Sequence, residues 1–225
     1  MPLHRVGAFG GCENILAVYK GKTYDYEHID DLYKAVNGDD TGLTIENGAL
    51  KAVSPELTEV VIPNRVTSFA YAMNSPFFGC ENLKKVTFGT GITELSGTYF
   101  ARSNLNIFFV QCPNITEIII PEGVTSIGYK TFSELEKLTK VTIPDGMTAI
   151  GNDAFMNCKS LTNITIPDSV TSIGTYYTAS VWEDDSIIYE FFGAFEGCEN
   201  IKVTYKGKTY DYAHIDDLYK AINGN

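Results

Sequence analysis

Residues 138–161 read LTKVTIPDGMTAIGNDAFMNCKSL, and close versions of this stretch recur along the 225-residue chain. The apolar residue that opens each version sets the period, because Ile115, Leu138 and Leu161 follow one another in two steps of 23 residues. Self-similarity at such a period is typical of a solenoid, in which stacked units bury a core that no unit could bury alone. The repeat therefore predicts a stacked array, and it argues against a globular enzyme with a single catalytic cleft.

The composition of the chain narrows its possible partners. Hydrophobic residues make up 44% of the sequence, which is close to the value for ordinary globular domains. The formal net charge is −11, and an acidic surface repels the phosphate backbone of nucleic acids. The sequence contains no run of 18 apolar residues that could span a bilayer. We therefore expect neither a nucleic-acid partner nor membrane insertion.

Six versions of the repeat align on one position, which we call the cysteine position. A phenylalanine always stands three residues before it, and an isoleucine or leucine always stands three residues after it. The cysteine position is filled by Cys12, Cys80, Cys112, Leu135, Cys158 and Cys198. In the central versions an alternating apolar stretch then ends at a proline, which cannot donate a hydrogen bond to a strand ladder. A second short apolar pair and a glycine follow, so the pattern predicts two short strands and a glycine turn in every unit.

The cysteines are interpreted as free, buried and structural. Leu135 occupies the cysteine position once, and leucine can replace neither a metal ligand nor a disulfide partner, although it can replace a small buried apolar group. No Cys-x-x-Cys pair occurs, which argues against a zinc site. The sequence thus indicates no metal and no cofactor.

The pattern in residues 118–155 and 138–173 resembles the BspA-like leucine-rich repeats of bacterial cell-surface proteins. The resemblance covers roughly residues 57–205 and recurs in register. It implies a β-rich, right-handed leucine-rich-repeat solenoid on a secreted or surface-anchored protein, and a role in adhesion or host interaction. The expected location is therefore extracellular or at the cell surface, with any signal peptide outside this chain.

A second, longer repeat predicts a cap for the solenoid. Residues 12–38 match residues 198–224 at a constant offset of 186, with 22 of 27 positions identical. Both copies contain YKGKTYDY, which predicts a tight hairpin, followed by apolar residues with the spacing of one amphipathic helix. Because solenoids close their open ends with atypical units, we interpret residues 198–225 as a C-terminal cap.

The first copy of this unit predicts a domain boundary. Residues 1–40 are then the cap of a preceding array and a linker, and residues 41–225 form the main solenoid, with a starting hairpin over residues 43–53. Two alternatives remain open: residues 1–40 pack back onto the main array, or they pack onto a neighbouring chain.

Three units depart from the regular spacing. Eight residues separate the second predicted strand from the cysteine position in the two regular units, and insertions of 3, 9 and 17 residues lengthen this segment in three others. Equal positions of a solenoid lie along one side, so the insertions are expected to project together as a binding surface. Tyrosine and tryptophan are enriched at recognition sites. The candidate binding residues are Tyr176, Tyr177, Trp182, Tyr189, Tyr99 and Arg102. The alternative is that these rings pack the loops against the flank of the solenoid.

No sequence motif of a nucleophile, metal hydrolase or nucleotide-binding loop is present. We therefore expect a non-enzymatic binding module without catalytic residues. It is expected to recognise a protein or glycan through its concave strand face and inserted loops. The alternative function is a structural spacer that presents other domains. The sequence does not fix an oligomeric state.

Overall fold

The computed structural model of the chain describes residues 16–19, 22–25, 41–70, 75–95, 108–109, 111–181 and 187–224. In chain order the strands are β1 (Leu16–Tyr19), β2 (Lys22–Asp25), β3 (Leu43–Glu46), β4 (Ala49–Val53), β5 (Glu59–Val61), β6 (Ser68–Phe69), β7 (Lys85–Thr87), β8 (Glu94–Leu95), β9 (Glu117–Ile119), β10 (Ser126–Ile127), β11 (Lys140–Thr142), β12 (Ala149–Ile150), β13 (Asn163–Ile166), β14 (Ser172–Ile173), β15 (Thr175–Val181), β16 (Ile187–Gly193), β17 (Lys202–Tyr205) and β18 (Lys208–Asp211). A 3-10 turn over Tyr212–His214 leads into helix α1 (Ile215–Asn223). Within these ranges no helix has the length and apolar character needed to cross a membrane.

Three units, with the strands β7–β8, β9–β10 and β11–β12, contribute one strand to each of two parallel sheets, as the repeat predicts, whereas β6 pairs with β4 and β13 with β17. The long sheet has the order β11-β9-β7-β5, and the short sheet has the order β14-β12-β10-β8. Strands of successive regular units pair in register, so Val141 lies beside Ile118 and Ile150 beside Ile127. A β-rich solenoid with leucine-rich-repeat units is therefore confirmed.

The core between the sheets consists of stacked copies of the same residues. Phe132 lies between Phe109 and Phe155, with ring centroids 6.0 and 5.4 Å away, and Phe195 stacks on Phe155 at 5.4 Å with an interplanar angle of 10°. These rings are fully or almost fully buried. Since each ring covers its neighbour in the next unit, apolar burial joins the units into one continuous core.

The four cysteines among the described residues are buried and stand outside any disulfide, as the sequence predicts; Cys12 lies outside the described residues. Their thiols also have a role that the exchange with leucine does not reveal. Cys112, Cys158 and Cys198 each donate a hydrogen bond to the carbonyl of the phenylalanine one unit earlier, at Sγ–O distances of 3.0, 3.1 and 3.0 Å. Burial raises the pKa of Cys158 and raises that of Cys198 to about 12, so both stay protonated as donors.

The glycine after the second strand is required by close packing more than by a turn. A Cβ atom on Gly151 would lie 2.7 Å from the carbonyl carbon of Gly128, and one on Gly174 would lie 2.0 Å from the backbone nitrogen of Asn152. Successive units therefore approach each other at this column more closely than any side chain would permit.

The C-terminal unit forms a hairpin and a helix. β17 pairs in parallel with β13 and antiparallel with β18, through a turn in which Lys206 and Gly207 both have positive φ. The helix begins with Asp216 and Asp217 in its first turn and ends at Gly224 in the left-handed conformation. Its buried face consists of Ile215, Leu218, Tyr219 and Ile222. This hairpin and helix cover the last unit.

The first copy of the cap sequence is described only in its hairpin, where β1 and β2 pair antiparallel. Its predicted helix lies outside the described residues, and the division of the chain at residue 40 stays a prediction. The predicted starting hairpin is present as β3 and β4, which turn at Asn47 and Gly48, and β4 pairs in parallel with β6.

Candidate functional site

The longest insertion forms an antiparallel hairpin. β15 and β16 have seven residues each, whereas the other strands of the described chain have two to five. The hairpin lies between the end of β14 and the buried Phe195, and within the described ranges β15 and β16 pair only with each other. The insertion therefore adds nothing to the hydrogen-bond ladders of the solenoid.

The register of the hairpin places three of the six candidate binding residues. Tyr176 pairs with Phe192, Tyr177 with Phe191 and Tyr189 with Ala179. Because alternate positions of a strand share a face, the positions of Tyr177 and Tyr189 fall on one face of the hairpin and that of Tyr176 on the other. Trp182, Tyr99 and Arg102 lie outside the described residues, so a joint site of all six residues stays a prediction.

The two ends of the insertion meet as the ends of a regular turn do. The backbone N–H of Ala194 donates to the carbonyl of Gly174 at 3.1 Å, and in the preceding unit Ala154 donates to Gly151 at 3.4 Å. Thus the hairpin leaves and re-enters the solenoid at one point without changing the turn that carries it.

A buried charge lies in the unit next to the base of the hairpin. Asp153 is 1% exposed, and its nearest cation is Lys130 of the preceding unit, with Nζ 3.9 Å from Oδ2. Within the part of the chain that the structure describes, the other carboxylate oxygen has no hydrogen-bond partner. Burial raises the pKa of this carboxyl group, and Lys130 partly opposes that effect. Sequence reasoning missed Asp153, although its spacing of 23 residues from Lys130 was a usable signal.

A polar pocket of about 310 Å³ lies between the last two units, where the cysteine positions are Cys158 and Cys198. It is lined by Asn157, Lys159, Gly197, Glu199 and Asn200. Gly197 opens this space, because a Cβ atom there would lie 2.2 Å from Oδ1 of Asn157. The lining offers both hydrogen-bond donors and acceptors, with one positive and one negative side chain, and it suits neutral hydroxyl groups. Sequence reasoning missed this pocket because each residue occupies an ordinary repeat position.

The outward side of the long sheet carries a row of alternating charges. Glu117 on β9 accepts from Lys140 on β11 and Lys85 on β7, at 2.7 and 2.9 Å. Hydrogen bonds from Lys140 and then Lys85 lower the pKa of Glu117. Because Glu117 offsets one of the two lysines, the row keeps a single net positive charge and is a weak attractor for a charged ligand. Among the residues that the structure describes, no group of three or more His, Cys, Asp or Glu side chains is arranged to hold a metal ion.

Comparisons with known proteins agree with this architecture. The family model described as BspA type leucine rich repeat region matches in six copies, over residues 43–111 and 106–204. No curated protein sequence matches significantly. A leucine-rich repeat protein of T. pallidum has 18% identity and a TM-score of 0.48, over 74% of this chain and 78% of that one.

Two longer bacterial proteins are also similar. A leucine-rich repeat protein of Bacteroides ovatus has 26% identity and a TM-score of 0.47, over 73% of this chain and 37% of that one. A leucine rich cell surface protein of Faecalibacterium prausnitzii has 24% identity and a TM-score of 0.43, over 76% of this chain and 47% of that one. The chain thus spans less than half the length of both.

Proposed function

Because the chain belongs to the BspA-type leucine-rich repeat family, we propose that it is a non-enzymatic binding module of a bacterial secreted or surface protein. It recognises a protein or glycan through its concave strand face and its inserted loops, of which the hairpin β15–β16 is the longest. The ligand is extracellular, in keeping with the cell-surface description of the F. prausnitzii protein.

The hairpin is the observation that carries this proposal. It is 17 residues longer than the regular turn, and yet its ends keep the regular Gly174–Ala194 hydrogen bond. An isolated two-stranded hairpin is at best marginally stable in water, so a scaffold gains no stability by extending one. Aromatic residues at Tyr176, Tyr177, Tyr189, Phe191 and Phe192 give it the composition of a recognition element.

We include the polar pocket between the last two units in the proposed binding surface, because Gly197 in its lining follows the end of β16 at Gly193 by four residues. It and the hairpin are both built on the unit that ends at Cys198. Mixed donors and acceptors there match the hydroxyl groups of a glycan, whereas the hairpin rings match either a sugar face or a protein.

The competing function is a structural spacer without a ligand. The two functions differ in the effect of removing the hairpin, because a spacer needs only the stacked units. The repeat itself supplies the design: deletion of residues 175–191 with Phe192→Asn restores the Gly-Asn-x-Ala-Phe spacing of residues 151–155.

We would screen the wild type, this deletion variant and Trp182→Ala on a glycan array and a panel of extracellular-matrix proteins. We expect the wild type to bind at least one of these ligands, and we expect both variants to bind it with at least tenfold lower affinity. The deletion variant is expected to keep the wild-type circular dichroism spectrum. Binding that survives deletion moves the site to the strand face or the pocket, and the absence of any wild-type ligand favours the spacer.

A further inference from the structure

The ladder of the long sheet is interrupted once within the solenoid. β11 pairs with β9, and β13 pairs with β17, but no strand ladder joins β11 to β13. On the other side of the same two units β12 and β14 remain paired, with Ile150 beside Ile173. The two units are therefore joined along the short sheet, and also where Phe155 donates to Ala194 and Asn157 to Glu196, at 2.8 Å each, but they are open along the long sheet.

Two backbone hydrogen bonds that the earlier units make are missing at this opening, which we call the seam. In earlier units the residue after the long strand donates to the next unit, as Phe88 does to Ile119 at 3.1 Å and Ile120 to Thr142 at 3.1 Å. Just before the strand, Thr139 donates to Thr116 at 3.0 Å. At the seam, in contrast, neither the N–H of Ile143 nor that of Thr162 makes the equivalent bond within the described chain.

Side-chain burial marks the same place. Val141 and Ile143 are only partly buried, whereas Ile118 and Ile120, at the same positions one unit earlier, are buried. An unpaired backbone amide at the margin of an apolar core is costly unless water reaches it. The seam therefore exposes an edge of the core that every preceding unit covers.

The row of alternating charges ends at the seam as well. Lys85, Glu117 and Lys140 form the row, and the next position along it is Asn163. The amide of Asn163 instead donates to the hydroxyl of its neighbour Thr162 at 3.1 Å. An acidic residue at this position would face Lys140 and link the two strands, but asparagine leaves them without that attraction.

We propose that the seam is a hinge. The part of the chain from β13 to the C-terminal cap turns as one block relative to the units that precede it. The pivot is the joined side of the two units, which comprises the pairing of β12 with β14 and the backbone hydrogen bonds from Phe155 and Asn157. Closing the seam forms the Ile143 and Thr162 hydrogen bonds, and opening it exchanges them for bonds to water, so the two states are close in free energy.

The hinge has a consequence for recognition that does not depend on the identity of any ligand. The hairpin β15–β16 and the cap lie beyond the seam, while β5, β7, β9 and β11 lie before it. Bending at the seam therefore changes the angle between the hairpin and the outward face of β5, β7, β9 and β11.

Residue-resolved amide hydrogen exchange on the full chain tests the open state directly. The amides of Ile143 and Thr162 are expected to exchange at least tenfold faster than those of Ile120 and Thr139, their matched positions one unit earlier. Equal protection at the four amides would overturn the proposal, because the seam would then be closed in solution.

Two variants and a second measurement test the movement. Asn163→Glu is expected to slow exchange at Ile143 and Thr162 by about two- to fivefold, the size of an exposed ion-pair effect, and the neutral control Asn163→Gln is expected to leave it unchanged. NMR relaxation dispersion is expected at the seam amides of the wild type and reduced in Asn163→Glu. Fast exchange without dispersion would overturn the hinge in favour of a static gap.

Discussion

The hydroxyl of Tyr219 on the cap helix accepts a hydrogen bond from the backbone N–H of Phe195 at 3.1 Å. In the preceding units the same N–H donates to the next unit, as Phe155 does to Ala194 at 2.8 Å. Gly193 makes this contact possible, because a Cβ atom there would lie 2.3 Å from the Tyr219 ring. The tyrosine hydroxyl thus takes the place that a backbone carbonyl of the next unit holds in the preceding units.

Two further side chains of the cap act in the same way. The hydroxyl of Tyr212 accepts a hydrogen bond from the backbone N–H of Gly197 at 3.2 Å. At the equivalent position one unit earlier, the backbone N–H of Asn157 donates to the carbonyl of Glu196. The side-chain amide of Asn223 accepts from the N–H of Ile173 and donates to its carbonyl, both at 2.9 Å. Together these side chains satisfy the open edge of the last unit and prevent its pairing with another strand.

Tyr219→Phe is expected to lower the free energy of unfolding by about 1–3 kcal/mol, because the buried N–H of Phe195 loses its acceptor. Urea denaturation followed by circular dichroism measures this change. Tyr210→Phe is the matched control, since Tyr210 is also buried in the cap and its hydroxyl makes no hydrogen bond to another described residue. Equal effects of the two substitutions would show that the Tyr219 hydroxyl does not terminate the ladder.

Gly174→Ala is expected to destabilise the protein by about 2 kcal/mol or more, because the new Cβ would collide with the backbone of the preceding unit. Gly146→Ala is the control, as no atom lies within 4 Å of the Cβ it would carry. The control is expected to leave the free energy of unfolding unchanged or to raise it by up to about 1 kcal/mol, because alanine lowers the conformational entropy of the unfolded chain. Thermal and urea denaturation would compare both, and a harmless Gly174→Ala would contradict the close packing of this column.

Asp153→Asn is expected to raise stability at pH 7 by about 1 kcal/mol, because it removes a buried charge with an unpaired oxygen. Burial raises the pKa of Asp153 in the folded state. The folded state therefore binds this proton more tightly than the unfolded state, and the group favours folding at acidic pH. This contribution is lost as the pH rises from the ordinary aspartate range through the raised pKa.

The gain from Asp153→Asn over the wild type should accordingly shrink as the pH falls. Urea denaturation between pH 3 and pH 7 measures the difference, with the exposed Asp145→Asn as control. A variant that is less stable than the wild type at pH 7 would mean that the ion pair with Lys130 outweighs desolvation.

The cysteines are expected to be unreactive in the folded protein, because the four described thiols are buried and burial raises the pKa of Cys158 and Cys198. Denatured, non-reduced protein should titrate close to five thiols, the number in the sequence. Mass spectrometry after brief alkylation of the native protein should find Cys80, Cys112, Cys158 and Cys198 unmodified. A titration of one thiol, or rapid labelling of Cys158, would contradict the buried-thiol interpretation.

The periodic part of this protein could be predicted from its sequence for a specific reason. Phe132, Leu138, Val141 and Ile150 recur at 23-residue intervals, and stacking in register is the arrangement that buries all of them at once. The exchange of cysteine for leucine at residue 135 likewise indicated a buried group, although it concealed the hydrogen bond of the thiol. Of the candidate site, the sequence indicated where the insertion leaves the solenoid, but not that it forms two seven-residue strands.

What the sequence alone determined is thus the solenoid, its two strands per unit and its hairpin-and-helix cap, since each follows from local spacing and apolar burial. Tertiary structure decided the features that depend on a single contact between units. Three features depend on residues at least 20 positions apart in the sequence. They are the hydrogen bond between Tyr219 and Phe195, the burial of Asp153 beside Lys130, and the missing pairing between β11 and β13. A repeat pattern does not reveal such contacts, because it shows only the residues that the units have in common. Hydrogen bonding at an edge or an opening depends on residues in which one unit differs from the others.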